Sequence, residues 1–214
     1  MTIAARITKP ARTKKRQRFS FEEFCKIIQD GQKADLLDGA IYIASPDNTD
    51  AGKLYTWLHA LLGYYVNTMD LGELFGQRIA FRLADDYGPE PDIAFVKKSR
   101  THLIERGYVN GPPDLAIEIV SPDSIDRDYK LKLNAYESFG VSEYWIVDEE
   151  QHRVVLLRRN KKGEFQEVSP RKGVLKSNVL GGFWFKPEWL WMNPLPRLRL
   201  VLNQILGPLM RDTQ

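Results

Sequence analysis

Apolar residues along this chain recur either every third to fourth position or every second, and the change from one period to the other marks out its elements. Ser20 and Glu23 form an S-x-x-E capping box ahead of Phe21, Phe24, Ile27 and Ile28, with Gly31 just beyond, which predicts a short helix. In "ADLLDGAIYIA" two apolar runs flank Asp38-Gly39, a pair able to take the positive φ angles of a tight hairpin. Leu54, Trp57, Leu58, Leu61, Leu62 and Tyr65 then follow helical spacing and predict a longer helix over about residues 50–68. His59 lies off that stripe and is expected in solvent. From Gly76 onward the period is two: "QRIAFRLA", "PDIAFV", "DLAIEIV", "EYWIVD" and "RVVLLRR" read as strands. One helix, over about Ser124–Phe139, interrupts them.

Helices packed on a mixed sheet, with a crossover helix between the third and fourth of these strands, predict a single α/β (α+β) domain. The 214 residues, 43% hydrophobic and 11% aromatic, are enough for one sizeable core. The aromatic-rich end, "GGFWFKPEWLWMNPLPRLRLVLNQIL", reads as a final strand and helix packing on the core or on another copy, with a base-stacking surface as the alternative. No run reaches the roughly 18 apolar residues of a membrane span, and no apolar secretory segment opens the chain. A soluble, cytoplasmic protein is expected. Cys25 is the only cysteine, and His59, His102 and His152 are far apart, so neither disulfides nor a thiolate or histidine metal motif is available. Any metal must be a hard one held by carboxylates.

The net charge of +3 hides an asymmetry. Residues 1–18 carry Arg6, Lys9, Arg12, Lys14, Lys15, Arg16 and Arg18 without an acid, and the remainder has 24 basic against 28 acidic residues. Such a run cannot bury apolar surface, so residues 1–18 are expected to be a disordered tail, either a solubilising leader or an arm that contacts phosphates.

Two charges sit where the pattern asks for apolar residues. In "PDLAIEIV", Glu118 shares a strand face with Ala116 and Val120. On the next helix Tyr129, Leu133, Tyr136 and Gly140 mark the buried stripe, within which Lys132 falls, whereas Lys130 is rotated by about 200° towards solvent. Burying both Glu118 and Lys132 is costly unless they pair or serve a site open to water. Asp92 opens the preceding strand, and if the two strands are neighbours it converges on Glu118. Two such carboxylates repel unless a cation lies between them, and Mg²⁺ is the natural one, with Lys132 beside it to orient water for attack on a phosphodiester. A purely structural Lys132–Glu118 pair, with Asp92 as a strand-start cap, accounts for the spacing equally well.

"PEPDIAFV", "DLAIEIVSPDS", "DRDYKLKLNAYESFGVSEYWIVD" and "GVLKSNVLGGFWF" together resemble the Uma2 family, common in cyanobacteria, over about Phe19–Gly182. That family is similar to the PD-(D/E)xK nucleases, and the resemblance implies a restriction-endonuclease-like mixed β-sheet flanked by helices. It also implies Asp92 and Glu118 as ligands of Mg²⁺ or Mn²⁺ and Lys132 as the water-positioning cation. The lysine expected two residues after the second acid is replaced here by Val120, and the family's K-L-x-x-Y element puts it at Lys132 instead. A further acid before the hairpin's D-G turn corresponds to Asp35, shorter than the family's glutamate, and "DNTDAGKLY" lacks the family's histidine. A metal-dependent DNA endonuclease acting as a homodimer is therefore expected. The alternatives are a catalytically silent nucleic-acid-binding or scaffold protein and an enzyme for another phosphate ester.

Overall fold

The computed structural model describes residues 17–28, 32–46 and 48–207, so Gly31 and the tail cations from Arg6 to Arg16 lie outside the described residues. Helix α1 is Phe21–Ile27, and both halves of the Ser20–Glu23 capping box are formed. Strands β1 (Ala34–Leu37) and β2 (Ala40–Ile43) pair antiparallel around Asp38 and Gly39, whose φ angles of 50° and 70° are those of the anticipated turn. Arg18 bonds to Asp38 and Asp86, both at 2.7 Å, and so ties this end of the chain to the turn.

Helix α2 is Thr49–Thr68, capped by the Asn48 side chain, with Leu54, Trp57, Leu58, Leu61, Leu62 and Tyr65 all buried. His59 is half-buried against the Tyr55 ring, 5.5 Å away, so the expectation that it is solvated is corrected: the apolar stripe is broad enough to reach it. Strand β3 (Gly72–Phe75) follows, a pairing that the short run "GELF" did not announce. The run "QRIAFRLA" yields only β4 (Ala80–Phe81), outside the main sheet.

The main sheet then takes β5 (Ile93–Lys97), while β6 (Tyr108–Val109) pairs parallel with β4 in a separate ribbon. Strand β7 (Leu115–Val120) leads into a π-helical segment, Arg127–Lys132, continued by α3 (Leu133–Ser138). Strands β8 (Glu143–Asp148), β9 (Arg153–Arg159) and β10 (Phe165–Glu167) complete a six-stranded sheet of order β10-β9-β8-β7-β5-β3. Within this sheet only β7 and β8, joined by the crossover helix, are parallel. A ribbon of β11 (Leu175–Lys176) and β12 (Trp184–Phe185) and helix α4 (Leu198–Leu206) close the fold.

Strand alternation divides the core. Ile93, Phe95, Leu115, Ile117 and Trp145 pack on one face against α2, α4 and the aromatic-rich end, where Phe183, Phe185 and Trp189 are buried. Those aromatics therefore serve packing. Ala116, Val120 and Ile146 point to the other face, against Tyr136 of α3. Glu118 belongs to this second face, beneath the crossover helix. Among the described residues no helix is long and apolar enough to cross a membrane.

Candidate active site

Strand register brings the first two acids together. Antiparallel pairing of Ile93 with Ile117 puts Asp92 one step further on, opposite Glu118 and on the same face. The Ile119 N–H donates to Asp92 Oδ2 at 2.7 Å. Asp92 Oδ1 accepts from Gln77 Nε2 at 3.2 Å and from the Lys33 ammonium, a partner 59 residues earlier.

Lys132 comes down onto this pair from the crossover helix. Its Nζ stands 2.9 Å from Glu118 Oε2, 3.0 Å from Asp35 Oδ1 and 3.8 Å from Asp128 Oδ1, and the side chain is 1% exposed. Lys130 has a side chain 70% exposed and pairs with Asp126 across one turn. The inward–outward assignment of the two lysines thus holds. The remaining Glu118 oxygen, Oε1, accepts from Tyr136 O–H at 2.9 Å. Asp35 is delivered by β1, where its Oδ1 also accepts from the Glu90 N–H at 2.8 Å and its Oδ2 faces Arg127 Nε at 3.3 Å. All four anticipated residues therefore meet in one buried cluster.

Five members of the cluster were not anticipated: Lys33, Gln77, Glu90, Arg127 and Asp128. All lie in polar stretches or at element ends, where a charge breaks no apolar pattern. The one available signal was the i, i+4 spacing of Asp128 and Lys132 on the inward side of a helix.

The electrostatics follow from burial. Burial works against the Asp92 carboxylate, yet the charges of Lys33 and Lys132, with hydrogen bonds from Lys33 and the Ile119 N–H, hold it below the usual range. For Glu118 burial wins, and its carboxyl is raised despite Lys132. Asp128 is raised for the same reason. Lys132 meets the same burial penalty, but Asp35, Glu118 and Asp128 together keep its ammonium charged well above the ordinary lysine range. Burial also pushes Glu90, whose Oε2 accepts from the Ala34 N–H, up to about 7.

The donor set suits a hard divalent cation. Among the described residues the cations paired with the four carboxylates Asp35, Asp92, Glu118 and Asp128 are three, Lys33, Lys132 and Arg127, and the buried Asp128 Oδ1 accepts no hydrogen bond. Among the described residues no three His, Cys, Asp or Glu side chains form a ready-made metal cage. A two-carboxylate site completed by water and substrate phosphate oxygens is the mode in which Mg²⁺ is commonly held.

Comparison with known proteins agrees with this architecture. A crystal structure described as that of "a putative nuclease belonging to DUF820" from Anabaena variabilis ATCC 29413 matches with a TM-score of 0.66, covering 81% of this chain and 97% of that one at 17% identity. At that identity the likeness speaks for the fold, which is restriction-endonuclease-like. No curated protein matches the chain. The model of the Uma2 family, described as "Putative restriction endonuclease", matches residues 21–189, and the chain belongs to that family.

Proposed function

We propose that the protein is a Mg²⁺-dependent (or Mn²⁺-dependent) DNA endonuclease that hydrolyses phosphodiester bonds. The observation that carries this reading is the arrangement of Asp92 opposite Glu118, with the Lys132 ammonium 2.9 Å from Glu118, on the sheet of a restriction-endonuclease-like fold.

Asp92 and Glu118 would hold the cation, which when bound supplies Lewis-acid polarisation of the phosphate and a more acidic water. The chain's own groups set the geometry. The Ile119 N–H orients Asp92, and the Tyr136 hydroxyl orients Glu118. Lys132, kept cationic by its three carboxylate neighbours, positions the attacking water and offsets the charge that develops on the phosphate. We assign Asp35 chiefly to holding Lys132, since its Oδ1 is already shared between Lys132 and the Glu90 N–H. Hydrolysis then adds water to phosphorus and breaks one P–O bond. Two copies related by a two-fold axis suit cutting of both strands, and the single cysteine suits a reducing cytoplasm.

One observation favours a second reading. Asp35, Asp92, Glu118 and Lys132 are each no more than 5% exposed, and the Asp92 and Glu118 oxygens already take protein donors, as in a catalytically silent nucleic-acid-binding or scaffold protein that retains the fold. A plasmid-nicking assay separates the two. Cleavage that requires Mg²⁺ or Mn²⁺, disappears with chelator and is abolished by Asp92→Asn and by Glu118→Gln supports the nuclease. Undiminished cutting in excess chelator rules out this mechanism, and salt-sensitive binding without cutting favours the silent protein.

A further inference from the structure

Beside the carboxylate cluster lies a separate open cavity of about 610 Å³. Helix α1 forms one wall. The other is built from the segment of β4 and the loop that enters β6, and three guanidinium groups, Arg78, Arg82 and Arg106, line it. Arg78, in the turn before β4, Ala80 within it and Arg82 just after it all line this space. With Lys26, the lining carries four cations against Glu22, Glu90 and the neighbouring Asp85, 3.4 Å from Arg82, so positive charge stays in excess and an anion is its natural occupant. An aromatic pair completes the lining: Tyr108 is half-buried and meets Phe21 edge-on at 5.2 Å, and the Arg82 guanidinium lies 5.3 Å from the centre of the Phe21 ring. Phosphate-matched forks beside a ring are the two elements by which proteins hold a nucleic-acid strand, one for the backbone and one for a base.

The cavity's position says which nucleotide it would take. Gln32 lines it, and the adjacent Lys33 touches Asp92. Arg78 lines it, and the adjacent Gln77 touches Asp92. Glu90 lines it two residues before Asp92 itself. Three chain segments thus separate the cavity from Asp92 by one or two residues, about 4–7 Å of backbone. That is on the scale of a single nucleotide step.

We propose that this cavity receives an unpaired nucleotide of the substrate strand next to the scissile phosphate, with phosphate oxygens on Arg78, Arg82 and Arg106 and the base against Tyr108. Identifying the occupant as a substrate strand rests on the nuclease reading above. A base paired within a continuous duplex cannot enter without leaving its stack, so the enzyme should prefer single-stranded or locally unpaired DNA.

Equilibrium binding in chelator tests this without cleavage. The probes are a 5′-labelled single strand, the same strand carrying abasic positions, and the matching duplex, read by fluorescence anisotropy over a range of salt. Wild type should bind the intact single strand tighter than either other probe. An Arg78→Ala/Arg106→Ala double variant, which changes two exposed side chains, should lose about tenfold or more on the single strand, and its log–log salt slope should flatten by about 0.7 for each phosphate no longer neutralised. Tyr108→Leu should erase the difference between intact and abasic strands. Thermal melts of each variant establish that the fold persists. Unchanged affinity and slope in the double variant, or a wild-type preference for duplex, overturns the proposal. Normal binding by the arginine variant together with loss of cutting in Asp92→Asn sinks this inference alone. Arginine-dependent binding by a wild type that never cuts sinks the nuclease reading and leaves the cavity's ligand class standing.

Discussion

Lys132 and Lys130 stand two positions apart on one helical segment and meet opposite surroundings, with side chains 1% and 70% exposed. Removing the buried cation leaves Asp35, Glu118 and Asp128 facing one another, so Lys132→Met should cost about 3–5 kcal/mol in a urea denaturation curve. Lys130→Met should stay within about 0.5 kcal/mol, because its pair with Asp126 is solvated. Complete burial makes Lys132 a structural group even where it is also catalytic. Activity measured on the folded fraction decides its second role: nicking should fall by about 10²–10³ in Lys132→Met and hardly change in Lys130→Met. A Lys132→Met protein that cuts at the wild-type rate removes Lys132 from the mechanism. Lys33 provides a complementary test. Its ammonium competes for Asp92, so Lys33→Met should tighten Mn²⁺ binding, as read by the electron-paramagnetic-resonance signal of free Mn²⁺. Unchanged or weaker binding would argue that Lys33 does not compete with the cation.

At the scale of elements, two short pieces set the geometry. The first is the π-helical segment Arg127–Lys132, on which Asp128 and Lys132, four residues apart, are both buried; such segments recur at functional sites. The second is α1, only seven residues long, which cannot hold its shape by propensity and depends on its cap and on Phe21 and Phe24 in a small satellite core. Ser20→Ala removes the acceptor for the Glu23 N–H and should cost about 1 kcal/mol in the same denaturation experiment. Because α1 supplies Phe21 to the arginine-lined cavity, single-strand binding should weaken in that variant as well. A stability loss with binding intact would show that α1 does not shape the cavity.

For the whole molecule, the sequence's charge asymmetry bears on the proposed binding of DNA. The cations before residue 17 are unopposed by acids, whereas Arg18 is anchored to Asp38 and Asp86 and belongs with the hairpin turn. Deleting residues 1–16, and sparing Arg18, should therefore leave the melting temperature unchanged while weakening duplex binding. The log–log salt slope should flatten by about 0.9 for each duplex phosphate that the segment had neutralised. An unchanged slope would reduce the segment to a solubilising leader.

The sequence by itself determined the layered fold and three of the cluster's residues, Asp92, Glu118 and Lys132. Strand and helix periods report which face of an element is buried, and that is a local property: it gave α2, the hairpin, β5, β7 and β8, and it exposed Glu118 and Lys132 as charges standing in apolar lines. Resemblance to the Uma2 motifs added Asp35 and the pairing of roles. What only the tertiary structure decided is what surrounds those charges. Lys33 and Asp92 are 59 residues apart, Asp35 and Glu90 are 55, and no local pattern encodes such an approach. The same limit explains β4, a well-alternating run that finds only a two-residue partner in β6, and β3, a plain run that becomes a strand because β5 offers it an edge. Whether an alternating run joins a sheet, and whether a charge is matched, depends on which other segment arrives beside it.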